Sequence, residues 1–302
     1  MFSVVVPLYN KEKSILKTME SILSQTFTDF EVIVVNDGST DGSLKVLETV
    51  HDARVRVFTK ENGGVSSARN YGILKASYDL VAFIDGDDAW DESYLEQMAG
   101  LIARYPECSV FGSAWCRTTN GVKEYEDFGL EKDLAYKIDR YFKQAVKHTL
   151  LCTSSAIVRK SALVECGMFD TNLVMGEDMD LWIRLNLNYE FAFLNMVLAF
   201  YIQDAENRAC NTGLKPLKQN ILSRLADYAA AETKNRELKL YLDSFRVRQC
   251  IPYFFTKENK QEVLRIVSQV DYSALPFYWR IIYSRFAWGM KRRMYQLYKK
   301  TR

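Results

Sequence analysis

Leu80-Val81-Ala82-Phe83-Ile84-Asp85-Gly86-Asp87-Asp88 is an apolar run that ends, with no spacer, in a cluster of carboxylates. A short apolar run closed by a turn reads as a buried strand. The same succession stands upstream, where Phe30 to Val35 leads into Asn36-Asp37-Gly38-Ser39, and a further acidic group follows at Gly176-Glu177-Asp178-Met179-Asp180. Carboxylates at the carboxyl ends of adjacent parallel strands gather at one sheet edge, where open α/β folds bind ligands. Like charges held together are costly unless a cation or a hydroxyl-rich ligand compensates them. The pattern therefore implies a divalent metal and a sugar- or nucleotide-like ligand.

Working outward, residues 2–6 form a short apolar strand stopped by Pro7, and Ile15, Leu16, Met19, Ile22 and Leu23 give residues 11–25 the one-sided spacing of an amphipathic helix. The turn at Gly38–Ser43 offers N-cap residues for a helix across 43–50. Arg54 to Phe58 alternates like a strand, 65–76 reads as a helix, and 91–104 as a helix ending before Pro106. Alternation of strand and helix through about residue 112 predicts βαβ units with right-handed crossovers. The stretch 113–205 is less regular, with strands expected at Ser154–Val158 and Phe191–Ile202 and a helix from Asp178 to Asn188; beyond about 206 the pattern is helical. The expected architecture is α/β: a mostly parallel, Rossmann-like sheet flanked by helices over 1–205, with a helical C-terminal region over 206–302.

Composition removes other classes. A chain of 302 residues that is 48% hydrophobic can bury a sizeable core. Residues 279–302 hold eight Lys and Arg and no acid, which leaves about −6 elsewhere from a total of +2 and argues against a nucleic-acid binder. Six cysteines without C-x-x-C spacing and only two histidines, His51 and His148, do not make a zinc site. A strand that starts at Phe2 leaves no room for a signal peptide, and no apolar run reaches membrane-spanning length. Reduced thiols and a cytoplasmic location are expected.

Each motif admits a structural role beside a functional one. Pro7 and Tyr9, at the end of the first strand, either pack there or put a ring against a base. Asp37 serves an Asx turn or accepts hydrogen bonds from a base or ribose. Asn62-Gly63-Gly64 running into a helix with Arg69 is a tight turn with an ion pair, or a close backbone approach to a diphosphate. In Asp85-Gly86-Asp87-Asp88, the i, i+2 spacing can send one carboxylate to a ribose and another to Mn²⁺ or Mg²⁺, hard ions that take carboxylate and phosphate oxygens together. Glu177 and Asp178 open a helix, where the dipole favours acids whatever their use; the same placement would hold an ionised general base. Asp180, Trp182 and Arg184 read as supporting residues.

In this order and spacing, the motifs Val4–Asn10, Val34–Asp41, Asn62–Asn70, Phe83–Asp88, Ser154–Asp170 and Gly176–Leu181 resemble those of the family 2 inverting glycosyltransferases of the GT-A fold, over roughly residues 1–205. The resemblance implies a nucleotide-sugar-binding half at 1–112 and an acceptor and base half at 113–205. It implies a nucleotide-diphospho-sugar donor, with UDP preferred by analogy, and Pro7, Tyr9, Asp37, Asn62 and Arg69 around the base. Asp85 would face the ribose, Asp87 would hold Mn²⁺ or Mg²⁺ as part of a DXD motif, and Asp178 would be the catalytic base. Many relatives carry a metal-binding His shortly after the strand that follows the Glu-Asp helix. Here Tyr201-Ile202-Gln203-Asp204 has none, and Asp204 stands about where the His would be, as an oxygen ligand or a turn residue. A glycan or lipid-linked glycan acceptor, and a role in polysaccharide assembly at the inner face of a membrane, follow by the same analogy.

Two other functions compete with this reading. A sugar-phosphate nucleotidyltransferase would need a glycine-rich, Lys/Arg-bearing loop after the first strand, which Pro7-Leu8-Tyr9-Asn10-Lys11 does not supply. A non-catalytic adaptor of the same fold has no need of the Asp85, Asp87 and Asp178 set. In the tail, Trp279, Ile282, Phe286, Met290, Met294 and Leu297 form an apolar stripe among basic residues, while Ile281 and Trp288 point away from it. The stripe suits peripheral contact with an anionic membrane, packing on the catalytic domain, or oligomerisation.

Overall fold

A computed structural model describes residues 1–208, 213–256 and 258–283. The chain separates into two compact units, one of residues 1–141 with 148–213, the other of 142–147 with the described residues from Leu214 onward.

The first unit is built on one sheet of ten strands: β1 (Phe2–Leu8), β2 (Phe30–Asn36), β3 (Val55–Thr59), β4 (Leu80–Phe83), β5 (Ala89–Trp90), β6 (Val110–Thr119), β7 (Val122–Tyr125), β8 (Ala135–Lys137), β9 (Ala156–Arg159) and β10 (Phe191–Ile202). Their order is β3-β2-β1-β4-β9-β6-β10-β5, with β7 beside β6 and β8 beside β10. The helices of this unit are α1 (Ile15–Leu23), α2 (Ser43–Leu47), α3 (Val65–Lys75), α4 (Tyr94–Arg104), α6 (Lys160–Glu165) and α7 (Glu177–Asn188), while the short α5 (Tyr141–Ala145) falls, past its first residue, in the second unit.

The expected parallel pattern holds from β3 to β4, in register from Phe2↔Phe30 to Leu8↔Asn36 and from Phe2↔Leu80 to Val5↔Phe83. Beyond β4 the sheet is mixed. β9 enters antiparallel to both β4 and β6, and β6 and β10 pair in parallel. Two reversals restore the original direction, so β1, β2, β4, β6 and β10 all end at the same sheet edge. The antiparallel β9, inserted between β4 and β6, thus brings the two parallel groups of strands to one edge.

Local departures from the expectations have physical reasons. Pro7 does not stop β1, which continues to Leu8. The Val5 carbonyl accepts the N–H of Ile84 and the Leu8 carbonyl that of Asp37, so alternation points the Pro7 nitrogen toward the β4 side, past the last paired residue of that strand. A missing donor there breaks no ladder bond. β6 runs to Thr119, well beyond residue 112, because its second half pairs with both β7 and β10. β5 is only two residues long and has no periodicity to read.

The core follows the apolar faces of these elements. Val4, Val5, Val6, Val32, Ile33, Val34, Ala82 and Phe83 are fully buried, as are Ile15, Met19 and Ile22 of α1. α3 lies on β1 and β2, and glycine at position 72 makes that approach possible: a Cβ there would stand 2.4 Å from Val5 Cγ1. Each helix–sheet contact buries side chains worth about 1.5–3 kcal/mol apiece.

The second unit is helical: α8 (Ala229–Lys234), α9 (Arg236–Phe254), α10 (Lys260–Val267) and α11 (Tyr278–Tyr283), preceded by short 3₁₀ turns. Asn235 caps α9 by accepting the N–H groups of Glu237 and Leu238. Arg246, 1% exposed, pairs with Glu232 at 2.5 Å and Asp243 at 2.9 Å. No helix among the described residues is long and apolar enough to cross a membrane. Phe286, Met290, Met294 and Leu297 of the apolar stripe, Trp288 beside it and the basic residues around them lie outside the described residues.

Gly72→Ala tests the α3–β1 packing. A methyl forced against Val5 should cost about 1–3 kcal/mol, the usual penalty of overpacking, read as a lower urea midpoint. An unchanged midpoint would mean that α3 does not sit this close to β1.

Candidate active site

Two turns interlock at the carboxyl ends of β1 and β2. Asn10, at φ 51°, donates its N–H to Ser39 Oγ (3.1 Å) and accepts the Thr40 N–H on its Oδ1 (2.8 Å). Lys11 N–H reaches Ser43 Oγ at 2.8 Å, and Glu12 accepts the Gly42 N–H at 2.8 Å. Asp37 is 2% exposed, and its carboxylate accepts Lys60 Nζ (2.5 Å) and the N–H groups of Gly63 (3.0 Å) and Gly64 (2.8 Å). The Asn62 amide donates to the Asp37 carbonyl at 2.9 Å. Asp37 therefore shapes the Lys60–Gly64 loop from beneath, while Tyr9 stands exposed at the same edge. Pro7 lies inside β1.

The acidic turn after β4 divides its carboxylates among three tasks. Asp85 is partly open, its side chain 28% exposed, and accepts Arg69 at 2.7 Å. Asp87 accepts Lys11 Nζ at 2.6 Å; burial raises its pKa against the pull of Lys11, with Asp85 adding to the rise. Asp88 is buried and points inward, accepting Ser154 Oγ at 2.5 Å and the Ile202 N–H at 3.0 Å, while its carbonyl takes Thr18 Oγ1 at 2.7 Å. Burial and the two neighbouring aspartates push Asp88 well above the ordinary carboxylate range. It ties the ends of β4 and β10 and the start of β9 together, so a member of the acidic cluster is a structural strut. Ser154 also accepts the Asp85 N–H at 3.1 Å.

α7 brings the third acidic group to this edge. Gly176 adopts φ 78° just before the helix, a conformation glycine reaches without steric cost. Glu177 accepts Arg69 at 3.1 Å, so the 3% exposed guanidinium of Arg69 bridges Asp85 and Glu177 and also lies 5.1 Å from the Phe169 ring centre. Burial and the adjacent Asp178 push Glu177 to about 7 against the pull of Arg69. Asp178 is raised as well, by burial above all, with Arg69 opposing. The helix N-terminus therefore does not by itself keep Asp178 as acidic as expected: the cost of desolvation outweighs the dipole. The Asp178 carboxylate accepts the Met179 N–H at 2.7 Å. Asp180 is buried on Arg184 at 2.6 Å, and Arg184 also donates to the carbonyls of Cys166 and Met168, anchoring α7 to the turn before it.

Asp204 is exposed and accepts the Asn120 N–H at 3.0 Å, at the β6–β7 turn. The segment after β10 instead brings Glu206, Asn207 and Arg208 to the site. Glu206 accepts the N–H groups of Lys13 (2.8 Å) and Ser14 (3.1 Å) and the Ser14 hydroxyl (2.5 Å), and Asn207 donates to the Tyr9 carbonyl at 3.2 Å. The Arg208 guanidinium lies over the Tyr201 ring at 4.9 Å and acts on Asp87 electrostatically. Of the residues singled out from sequence, Arg69, Asp85, Glu177 and Asp178 form one connected electrostatic group. Asp85 also acts on Asp87, while Asp37 and Asn62 form a separate loop scaffold on the same edge. Lys11, Ser154, Glu206 and Arg208 were not anticipated, since a lysine or glutamate in a polar loop carries no local signal that separates it from a solvated one.

The pattern of Glycosyl transferase family 2 matches residues 3–167. The amylovoran biosynthesis glycosyltransferase AmsB of Erwinia amylovora is 31% identical over 214 residues, which span 66% of this chain and 69% of AmsB. An uncharacterized glycosyltransferase of Rickettsia bellii is 32% identical over 185 residues, 61% of this chain but 26% of that protein, so the chain spans about a quarter of that relative's length. Among solved structures, S. aureus TarS 1–349 in complex with UDP-GlcNAc superposes with a TM-score of 0.72 at 22% identity, covering 92% of this chain and 82% of that one, a likeness of fold. With its α/β sheet, flanking helices and matched N-terminal half, the chain belongs to glycosyltransferase family 2.

Proposed function

We propose that this protein transfers a sugar from a nucleotide-diphospho-sugar, UDP-linked, to a hydroxyl of a glycan acceptor, with inversion at the anomeric carbon. The observation that carries the reading is Arg69, which draws Asp85, from the strand-edge turn, and Glu177, beside Asp178 at the start of α7, to one buried cation. A donor side and a base side are thereby held at a fixed separation, as a single displacement requires. The family supports the reaction class, and the UDP-GlcNAc held by the TarS neighbour supports the choice of donor. AmsB, named for amylovoran biosynthesis, supports a glycan acceptor and a part in polysaccharide assembly.

The Lys60–Gly64 loop held by Asp37, together with exposed Tyr9, lines the edge proposed for the nucleoside, with Asp85 toward the ribose. Arg69 and Asp37 serve that edge from beneath, as buried supports. The residues fit a hard divalent cation: Asp87 already holds a cation, the Lys11 ammonium, and the oxygens around it are carboxylate and carbonyl. Asp87 would hold Mn²⁺ or Mg²⁺, with Asp85 nearby; Asp204, engaged at the β6–β7 turn, would have to leave Asn120 to take part. Bound there, the ion would neutralise charge growing on the departing diphosphate. Asp178 takes the proton of the acceptor hydroxyl as that oxygen attacks, and Arg69 keeps the neighbouring Glu177 in place and charge-balanced. An adaptor without turnover would have no use for a carboxylate with a raised proton affinity at this edge.

A screen of nucleotide sugars for metal-dependent release of the nucleoside diphosphate tests the assignment. Release from a UDP-sugar should fall about 10²–10⁴-fold in Asp178→Asn, the scale of general-base loss, with UDP affinity retained. If that variant turns over normally while Glu177→Gln is inactive, the base is Glu177.

The pH profile separates the two carboxylates further. They titrate as a pair, and a base works only when ionised, so activity should fall along an acid limb that the burial of Asp178 raises above the ordinary aspartate range. Glu177→Gln removes one of two adjacent negative charges and should move this acid limb to lower pH. A limb that stays in place would mean the two groups do not share their protons.

A further inference from the structure

The Lys11 ammonium lies where β1, the acidic turn and the segment after β10 meet. Its Nζ is 2.6 Å from Asp87 Oδ2, 2.6 Å from the Glu206 carbonyl and 3.2 Å from the Asn207 carbonyl, with the side chain only 11% exposed. All three partners are hard oxygens, the donors a divalent ion would choose. The segment that supplies two of them is fastened to the same loop by further bonds: Glu206 to Lys13 and Ser14, and Asn207 to the Tyr9 carbonyl. A lysine stem can swing its charge away from a site in a way that a buried, bidentate Arg69 cannot.

We propose that Lys11 is an internal counter-cation that competes with the divalent ion for Asp87 and, while seated there, latches residues 206–207 over the carboxyl end of β1. The inference rests on the assignment of Asp87 to the metal and adds what opposes that metal. With Lys11 on Asp87, the carboxylate is charge-compensated and the 206–207 segment is held down. An arriving ion takes over the Asp87 oxygen, Lys11 loses its partner and swings away, and the segment loses the two hydrogen bonds that Lys11 gives its carbonyls. Metal binding then loosens this segment, which keeps its bonds to Lys13, Ser14 and Tyr9, and the affinity for the ion is set lower than the carboxylate alone would allow.

The test uses Mn²⁺ alone as the probe, with the full chain, and reads binding and protection rather than turnover. Calorimetric titration of Mn²⁺ into Lys11→Met should show affinity at least about tenfold tighter than the native chain. Lys11→Arg, which keeps the charge, should stay near native and guards against a merely misfolded Met variant. Amide hydrogen exchange around 206–208 should rise when Mn²⁺ is added to the native chain, and should already be high in Lys11→Met without it. Equal or weaker Mn²⁺ binding in Lys11→Met, with Asp87→Asn still abolishing binding, would overturn the competition while leaving Asp87 as the ligand. Mn²⁺ binding unchanged in Asp87→Asn would overturn both the ligand assignment and the competition built on it.

Discussion

Arg69 carries a positive charge to a position where it is buried, and the cost of doing so is met by carboxylates from two distant parts of the chain. Asp85 and Glu177 hold its guanidinium more firmly protonated, although burial works the other way. Neither carboxylate is well placed without it: Glu177 would be left with Asp178 as its nearest charge, two buried anions side by side. Removing one partner of a buried pair typically costs about 3–5 kcal/mol because the other is left uncompensated. The geometry of the site thus depends on a single interaction that crosses from the parallel half of the sheet to the helix leading into β10.

β9 runs antiparallel between β4 and β6, so its starting end lies beside the carboxyl end of β4. With β9 inserted, Ser154 arrives beside the acidic turn and holds Asp88, and β10 delivers Ile202 to the same carboxylate. The hydrogen bonds of Asp88 are what align the strand ends on which Asp85 and Asp87 stand. A buried polar network of this kind is stabilising when every member is satisfied.

The parts legible in the sequence are those with local periodicity. β1, β2 and β4 are short apolar runs, α1 and α4 carry one-sided stripes, and their order alone specifies the parallel half and its acidic edge. Asp85 and Glu177 could be singled out because each sits at the end of such an element. Their joint possession of Arg69 could not, since it arises between residues 108 positions apart. β5 and the second half of β6 were hidden for a similar reason, as they are held by pairing with β10 rather than by any pattern of their own. Lys11 is the clearest case of chemistry without a local signal: its partners, Asp87 and the carbonyls of 206 and 207, come from two other places in the fold.

A double-mutant cycle across the buried ion pair tests the central claim most directly. Urea unfolding of Arg69→Met, Glu177→Gln and the double variant would give the coupling between the two side chains. The expected result is that Arg69→Met alone is strongly destabilised, that removing Glu177 as well recovers part of the loss, and that the coupling is about 1.5–3 kcal/mol, the upper part of the range for residues in contact. Strictly additive losses would contradict the account, because Arg69 and Glu177 would then not depend on each other and the two sides of the site would be held together by something else.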